Sequence, residues 1–284
     1  MRALLFLFVC FPSSVVAQFK NTGHDFVQHL LSHKMYDEAL LVLSEKLAHS
    51  TTIEARDSMN FFLGKTFYDL QQLPSSIEHL DAVSMAMPSL YNEARFFSAF
   101  NESYLKKTDL AQQKLLAFFP TGARWQQLKK FELAGIFLLA GNLASFDSLQ
   151  RNFTDDWSVV QQQQKNLIVH RNNLNGLKRK SVFLAATLST IIPGGGKFYA
   201  GRKGNGIYSL LITALLGAQT YEAYRKDGLK SGRFIIYGSL FTSFYIGNIW
   251  GSALAVKVVR NERRDAIHNQ VLFDMHIPMR TIFQ

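Results

Sequence analysis

Apolar residues are spaced in two different ways along this chain. From Gln18 to about Arg151 they recur three and four positions apart, with polar residues between them and few Gly or Pro to interrupt. That spacing predicts a series of short amphipathic helices. From Ser181 onward the apolar residues run together. Ser181 to Ile192 is a mostly apolar stretch ending at Pro193. Gly206 to Ala223 carries one charge, Glu222, and Phe234 to Val256 carries none. A membrane crossing needs about 20 such residues, so the two longer runs predict spans.

The first half has an internal period. Tyr36-Asp37-Glu38-Ala39-Leu40, Leu73-Pro74-Ser75-Ser76-Ile77, Asp109-Leu110-Ala111 and Leu143-Ala144-Ser145-Phe146 each look like the start of the second helix in a helix–turn–helix unit. Their small residues, Ala39, Ser76, Ala111 and Ser145, lie 37, 35 and 34 positions apart. Small side chains are needed where paired helices cross closely. The run from Phe62 to Tyr68 with Gly64, followed by Ser76, Ile77, Leu80 and Pro88, resembles a tetratricopeptide repeat, and Pro120 closes the next unit as Pro88 closes this one. The resemblance implies a helical-repeat domain over 18–155 with a groove for a peptide or partner protein. Asn60, Lys65, Asn101 and Tyr104, on the first helices of their pairs, are the candidate groove positions. Residues 156–180 predict a capping helix, with Trp157, Val159, Val160, Leu167 and Ile168 as its stripe, followed by the basic linker Leu177-Lys178-Arg179-Lys180.

The second half predicts a membrane domain over 181–256. Its spans, at about 206–223 and 234–256, are joined by the charged turn Arg225–Arg233 into a helical hairpin. Small residues recur every four positions: Ser209, Thr213 and Gly217 on one span, and Ser239, Ser243, Gly247, Gly251 and Ala255 on the other. Lipid gives helices no hydrophobic reason to pair, so close backbone approach must hold them, within the hairpin or between copies of the chain. Asn248 needs a hydrogen-bond partner at such a depth, for which Gln219 or Tyr221 is expected; Glu222 is expected to pair with Arg225. Residues 181–192 are too short to cross, about 18 Å as a helix, and predict a half-inserted or re-entrant segment. Gly194, Gly195 and Gly196 are expected to interrupt regular structure. Residues 257–284 read as a tail with a basic start and no clear pattern after Val271.

Pro193, Gly194, Gly196, Tyr199, Gly201 and Arg202 match the pattern Pro-Gly-x-Gly-x-x-Tyr-x-Gly-Arg. Ahead of a two-span hairpin, this resembles the two-transmembrane domain family, and bacterial envelope proteins that carry such a motif after tetratricopeptide-like repeats. Phe244 to Ser252 looks like a second signature of the latter group. The resemblance covers about Lys180 to Val259 and implies placement in the envelope without implying a reaction. Gly194 to Lys197 is not a nucleotide-binding loop: Ile191 stands where the first glycine is needed and Phe198 replaces the Ser or Thr.

Charge follows the same division. Residues 1–165 carry 15 Lys/Arg and 16 Asp/Glu, whereas residues 166–284 carry 16 and 5. Basic residues beside apolar runs suit anionic lipid headgroups rather than nucleic acid. Residues 1–17 read as a signal peptide cut after Ala17, which would remove Cys10, the only cysteine. Asp25, His29 and His33 share a helix face at metal-ligand spacing, but three such residues arise easily by chance, and neither metal nor cofactor is expected. No Gly-x-Ser-x-Gly, His-Glu-x-x-His or cysteine pair is present. The sequence thus predicts an all-α, non-enzymatic scaffold of the bacterial inner membrane. Its periplasmic repeats would bind a protein partner, lipids would hold its hairpin, and self-association through the glycine stripe stays open. The alternative is a lipid-headgroup-binding or export accessory module acting through Pro193–Arg202.

Overall fold

The structure, a computed structural model, describes residues 22–154, 156–177 and 180–283. The expected signal peptide and Lys178 and Arg179 of the basic linker lie outside the described residues. Every described secondary-structure element is a helix, so the all-α class holds. The chain forms two compact units, one running up to Glu132 and including Ile282–Gln284, the other covering Leu133–Thr281.

The N-terminal unit contains α1 (Thr22–Ser32), α2 (Tyr36–Ala48), α3 (Ile53–Asp69), α4 (Leu73–Asp81), α5 (Pro88–Tyr104), α6 (Thr108–Ala117) and the start of α7 (Ala123–Leu139). Within each pair one turn recurs. Lys34, Gln71 and Lys106 adopt left-handed backbone angles with φ of 59°, 60° and 63°, as does Gly141 (φ 73°) in the second unit. The following N–H reaches back to close each turn, from Met35 to Leu30 O (2.9 Å), and from Gln72 to Phe67 O, Lys107 to Glu102 O and Asn142 to Phe137 O (each 2.8 Å). This backbone closure satisfies the last helical carbonyls, and its left-handed residues lie 37, 35 and 35 positions apart.

Small residues sit where these helices approach. Ala39, Ser76 and Ala111 are fully buried, whereas Ser145 is half-buried and its neighbour Phe146 takes the buried position. Gly64 packs under Leu80, and a Cβ there would lie 2.6 Å from Leu80 Cγ. α5 is buried almost all round, with Phe96, Phe97 and Phe100 at its centre. Phe283 adds a ring stacked on Trp125 at 5.5 Å and tilted against Phe97 at 5.6 Å. The unit also holds a polar cluster. Lys114 Nζ lies 2.7 Å from Asp81 Oδ2, 3.1 Å from Glu102 Oε1 and 2.9 Å from Ser98 Oγ.

The C-terminal unit continues with α8 (Leu143–Gln150), α9 (Ser158–Gly176), α10 (Val182–Ile191), α11 (Gly195–Ala200), α12 (Lys203–Asp227) and α13 (Gly232–Ile282). α9 buries Val160, Gln164, Leu167 and His170. The residues expected to be a patternless tail continue the 51-residue helix α13 instead. Its buried positions there, Ile267, Val271, Asp274, Met275, Pro278 and Met279, follow a three- and four-residue spacing that interleaved charges obscure in the sequence. Asp274 accepts from Asn166 Nδ2 at 2.8 Å and hydrogen-bonds His170 Nε2 at 2.7 Å. Gly135 faces Met275, whose Sδ would lie 2.4 Å from an added Cβ.

Among the described residues no helix is long and apolar enough to cross a membrane. The runs expected to span at about 206–223 and 234–256 fall short because polar residues dilute them: Gln219 and Glu222 in α12, and Ser239, Ser243, Asn248 and Ser252 in α13. The break between these helices is also shorter than the expected charged turn. α12 continues to Asp227, and Gly228 (φ 81°) turns the chain into α13.

Candidate functional site

Of the glycine triplet only Gly194 lies outside regular structure, between α10 and α11; Gly195 and Gly196 belong to α11. Ile192 is extended, as the residue before a proline prefers, and Gly194 (φ 86°) opens α11 from a left-handed conformation. Gly195 and Gly196 are the first residues of that helix. A Cβ on Gly196 would lie 1.9 Å from Ala185 O, and one on Gly194 2.3 Å from Gly206 O. The amide of Gly196 donates to Ser189 Oγ at 2.8 Å, and Ser189 Oγ donates to Ser252 Oγ at 2.6 Å. Gly201 (φ 98°) ends α11, and Arg202 N–H closes back on Lys197 O at 2.9 Å, the closure also seen in the turns of the N-terminal unit.

The remaining motif residues have partners inside the chain. Tyr199 Oη accepts from Ser181 N–H at 3.0 Å, pinning the start of α10, and its carbonyl accepts from Lys180 Nζ at 2.7 Å. Arg202 pairs with Glu262 of α13. Pro193 is half-buried at the α10–α11 corner. The six residues of the motif thus form an elbow that holds α10, α11 and the middle of α13 together.

The expected packing stripe is only partly the packed face. Ser209 and Thr213 are buried, and Gly217 lies under Phe241, with an added Cβ 3.2 Å from its ring. On α13, however, Ser239, Ser243 and Gly247 are exposed, and a Cβ on Gly247 would meet nothing within 4 Å. The buried positions in this stretch are Asn248, Ser252, Ala255 and Val256, of which only Ala255 belongs to the expected stripe. A strict four-residue spacing drifts about 40° per step around a helix of 3.6 residues per turn, so five such positions cannot keep one face. Neither Gln219 nor Tyr221 reaches Asn248, and Glu222 pairs with Lys226 at 2.8 Å rather than with Arg225.

Between α11, α12 and α13 lies a cavity of about 400 Å³ lined by Lys197, Tyr208, Ser209, Ile212, Thr213, Ser243, Phe244, Gly247 and Asn248. Lys197 Nζ donates to Ser209 Oγ, and the lysine stem runs over Gly251, where an added Cβ would lie 3.5 Å from Cε. Burial lowers the pKa of Lys197 from the ordinary lysine value. Asn248 is 5% exposed, and neither its amide nitrogen nor its amide oxygen has a hydrogen-bond partner among the described residues. Lys197 is not one of the expected motif residues; it takes the first of the two unassigned positions between Gly196 and Tyr199.

The candidate groove residues have separate fates. Asn60 Oδ1 is 3.1 Å from His79 Nδ1, and Lys65 pairs with Glu93 at 3.3 Å while lying over the Phe97 ring. Burial raises the Glu93 carboxyl above its ordinary value, against the pull of Lys65. Asn101 is fully buried and donates to Ser76 Oγ at 2.9 Å, so it braces α4 against α5 instead of facing a groove. Tyr104 is exposed. Of the His–Asp trio, the side chain of Asp25 lies outside the described residues, and His33 Nδ1 bonds His29 O at 2.9 Å. No cluster able to hold a metal occurs among the described residues.

No family model matches the chain, and no solved structure matches it. It is similar to an uncharacterised protein of Methanocaldococcus jannaschii, with 46% identity over 56 residues, which are 20% of this chain. The match covers 54% of that protein's own length.

Proposed function

We propose that this protein is a membrane-seated helical-repeat scaffold of the cell envelope, whose N-terminal unit binds a protein partner and whose C-terminal unit sits in lipid. The observation that carries this reading is the outward face of α12 and α13. Ile207, Leu211, Leu215, Ile236, Ile246, Trp250 and Leu254 are all more than half exposed, while Ser209, Thr213, Asn248 and Ser252 point inward. A contiguous exposed apolar face of this kind marks contact with lipid or protein, and small or polar inner faces are how helices pair in lipid.

The recurring left-handed turns, 37, 35 and 35 residues apart, support the tetratricopeptide-like reading of the N-terminal unit. Placement of that unit outside the cytoplasm at a bacterial inner membrane rests on the signal-like first residues. Replacing the exposed Tyr104 with a photoreactive phenylalanine analogue in living cells tests the scaffold. A discrete protein adduct is expected from position 104. Failure to form one from any of positions 60, 65 and 104 would remove partner binding from the proposal.

A further inference from the structure

We infer that the cavity between α11, α12 and α13 is a binding site for the phosphate of an anionic lipid headgroup that also carries a hydroxyl, a glycerol phosphate type of headgroup. Three observations converge on that chemistry. The first is charge: Lys197 is the single Lys, Arg, His, Asp or Glu on the cavity wall, and among the described residues its Nζ pairs with Ser209 Oγ and with no carboxylate. A partly buried ammonium satisfied only by a serine hydroxyl favours an anionic ligand.

The second is the amide of Asn248. A buried amide left unpaired is costly, and such groups call for an explanation. Asn248 offers two donors and one acceptor, all unsatisfied. Its donors suit phosphate oxygens, but its oxygen needs a hydroxyl or amine on the ligand. An inorganic anion without a donor leaves that oxygen empty. The third is size and lining. The cavity holds far more than one phosphate, and Tyr208, Ile212 and Phe244 add apolar walls beside the polar ones. Glycine accounts for the space: Gly251 gives the lysine stem its bed, and the missing side chain of Gly247 leaves the mouth open. The site does not depend on what the repeats bind, so its failure would leave the scaffold reading standing.

Three variants of the full chain in detergent micelles test the assignment, titrated with dihexanoyl phosphatidylglycerol, dihexanoyl phosphatidylcholine, sn-glycerol 3-phosphate and inorganic phosphate. Phosphatidylglycerol should bind, glycerol phosphate should bind more weakly, and phosphatidylcholine should not bind. Gly247→Leu fills the mouth without a clash at Cβ and should abolish binding with the thermal midpoint kept. Lys197→Met should weaken binding at least tenfold. Asn248→Leu should also weaken it at least tenfold while raising the midpoint of the unliganded protein, because it removes an unpaired buried amide. A merely structural asparagine would lower that midpoint. No binding by any probe, or binding unchanged in Gly247→Leu, would overturn the site. Inorganic phosphate binding as tightly as phosphatidylglycerol would overturn the lipid headgroup as its ligand.

Discussion

The N-terminal unit and the α10–α13 part of the C-terminal unit are built on opposite terms. The first buries large side chains: Phe96, Phe97, Phe131, Leu43 and Leu80 are all at most 2% exposed. The second buries Gly196, Ala185, Ser189, Ala200 and Ser252, and turns Phe183, Leu211, Ile236 and Trp250 outward. Removal of apolar surface from water explains the first arrangement. It explains less of the second, where the small apolar cluster of Ala185, Ala200, Ala255 and Val256 is joined by close backbone contacts and short hydrogen bonds. The difference teaches that apolar content alone does not locate a core; which face carries it does.

That contrast makes opposite substitutions harmful in the two regions. Growth should be worst in the C-terminal unit. Gly196→Ala places a methyl 1.9 Å from Ala185 O, and a cost of about 4 kcal/mol or more is expected. Limited proteolysis should then cut α10–α13 rapidly while α1–α6 stay resistant. Shrinkage should be worst in the N-terminal unit. Phe96→Ala removes a ring packed on Phe118 at 5.4 Å and Trp125 at 6.0 Å, and should cost about 3–5 kcal/mol in denaturant unfolding. Equal tolerance of both changes would dissolve the comparison.

A smaller effect concerns charge inside the N-terminal unit. Glu132 is 1% exposed, and burial holds its carboxyl well above the ordinary value. The folded protein therefore keeps a proton that the unfolded chain loses, so stability from this group is present at low pH and falls as pH rises. Glu132→Gln should raise the thermal midpoint at pH 7, with the gain vanishing below about pH 4, where both states are protonated. The smallest effect belongs to the turns. Gln71 and Lys106 hold left-handed angles that suit glycine. Replacing either with Gly should stabilise by about 0.5–1 kcal/mol, the relief of strain less the added chain entropy.

The helical class was legible because it depends on local spacing. Of the four small residues in the period, Ala39, Ser76 and Ala111 are buried and Ser145 is only half-buried. The elbow was legible as a motif but not as a shape. Gly195 and Gly196 read as breakers, and only the nearness of Leu188 O and Ala185 O shows that they are close-contact positions in a helix. The tail was hidden because Asp274, which looks solvated in sequence, is buried against His170 and Asn166 more than a hundred residues away. Asn101 misled for the same reason, since its partner Ser76 lies on another helix. The cavity was half legible: Ser243 and Gly247 of the expected stripe line it, whereas the buried face of α13 runs through Asn248 and Ser252, one position further on.

The lipid-seated C-terminal unit is the central claim, and Trp250 reports on it directly. It is 72% exposed on the apolar face of α13, and with Trp125 and Trp157 replaced by Phe it is the sole tryptophan. Reconstitution into vesicles whose acyl chains carry bromine should quench its fluorescence strongly compared with unbrominated vesicles. Emission unchanged between the two, with the protein folded and vesicle-bound, would contradict a lipid-facing α13.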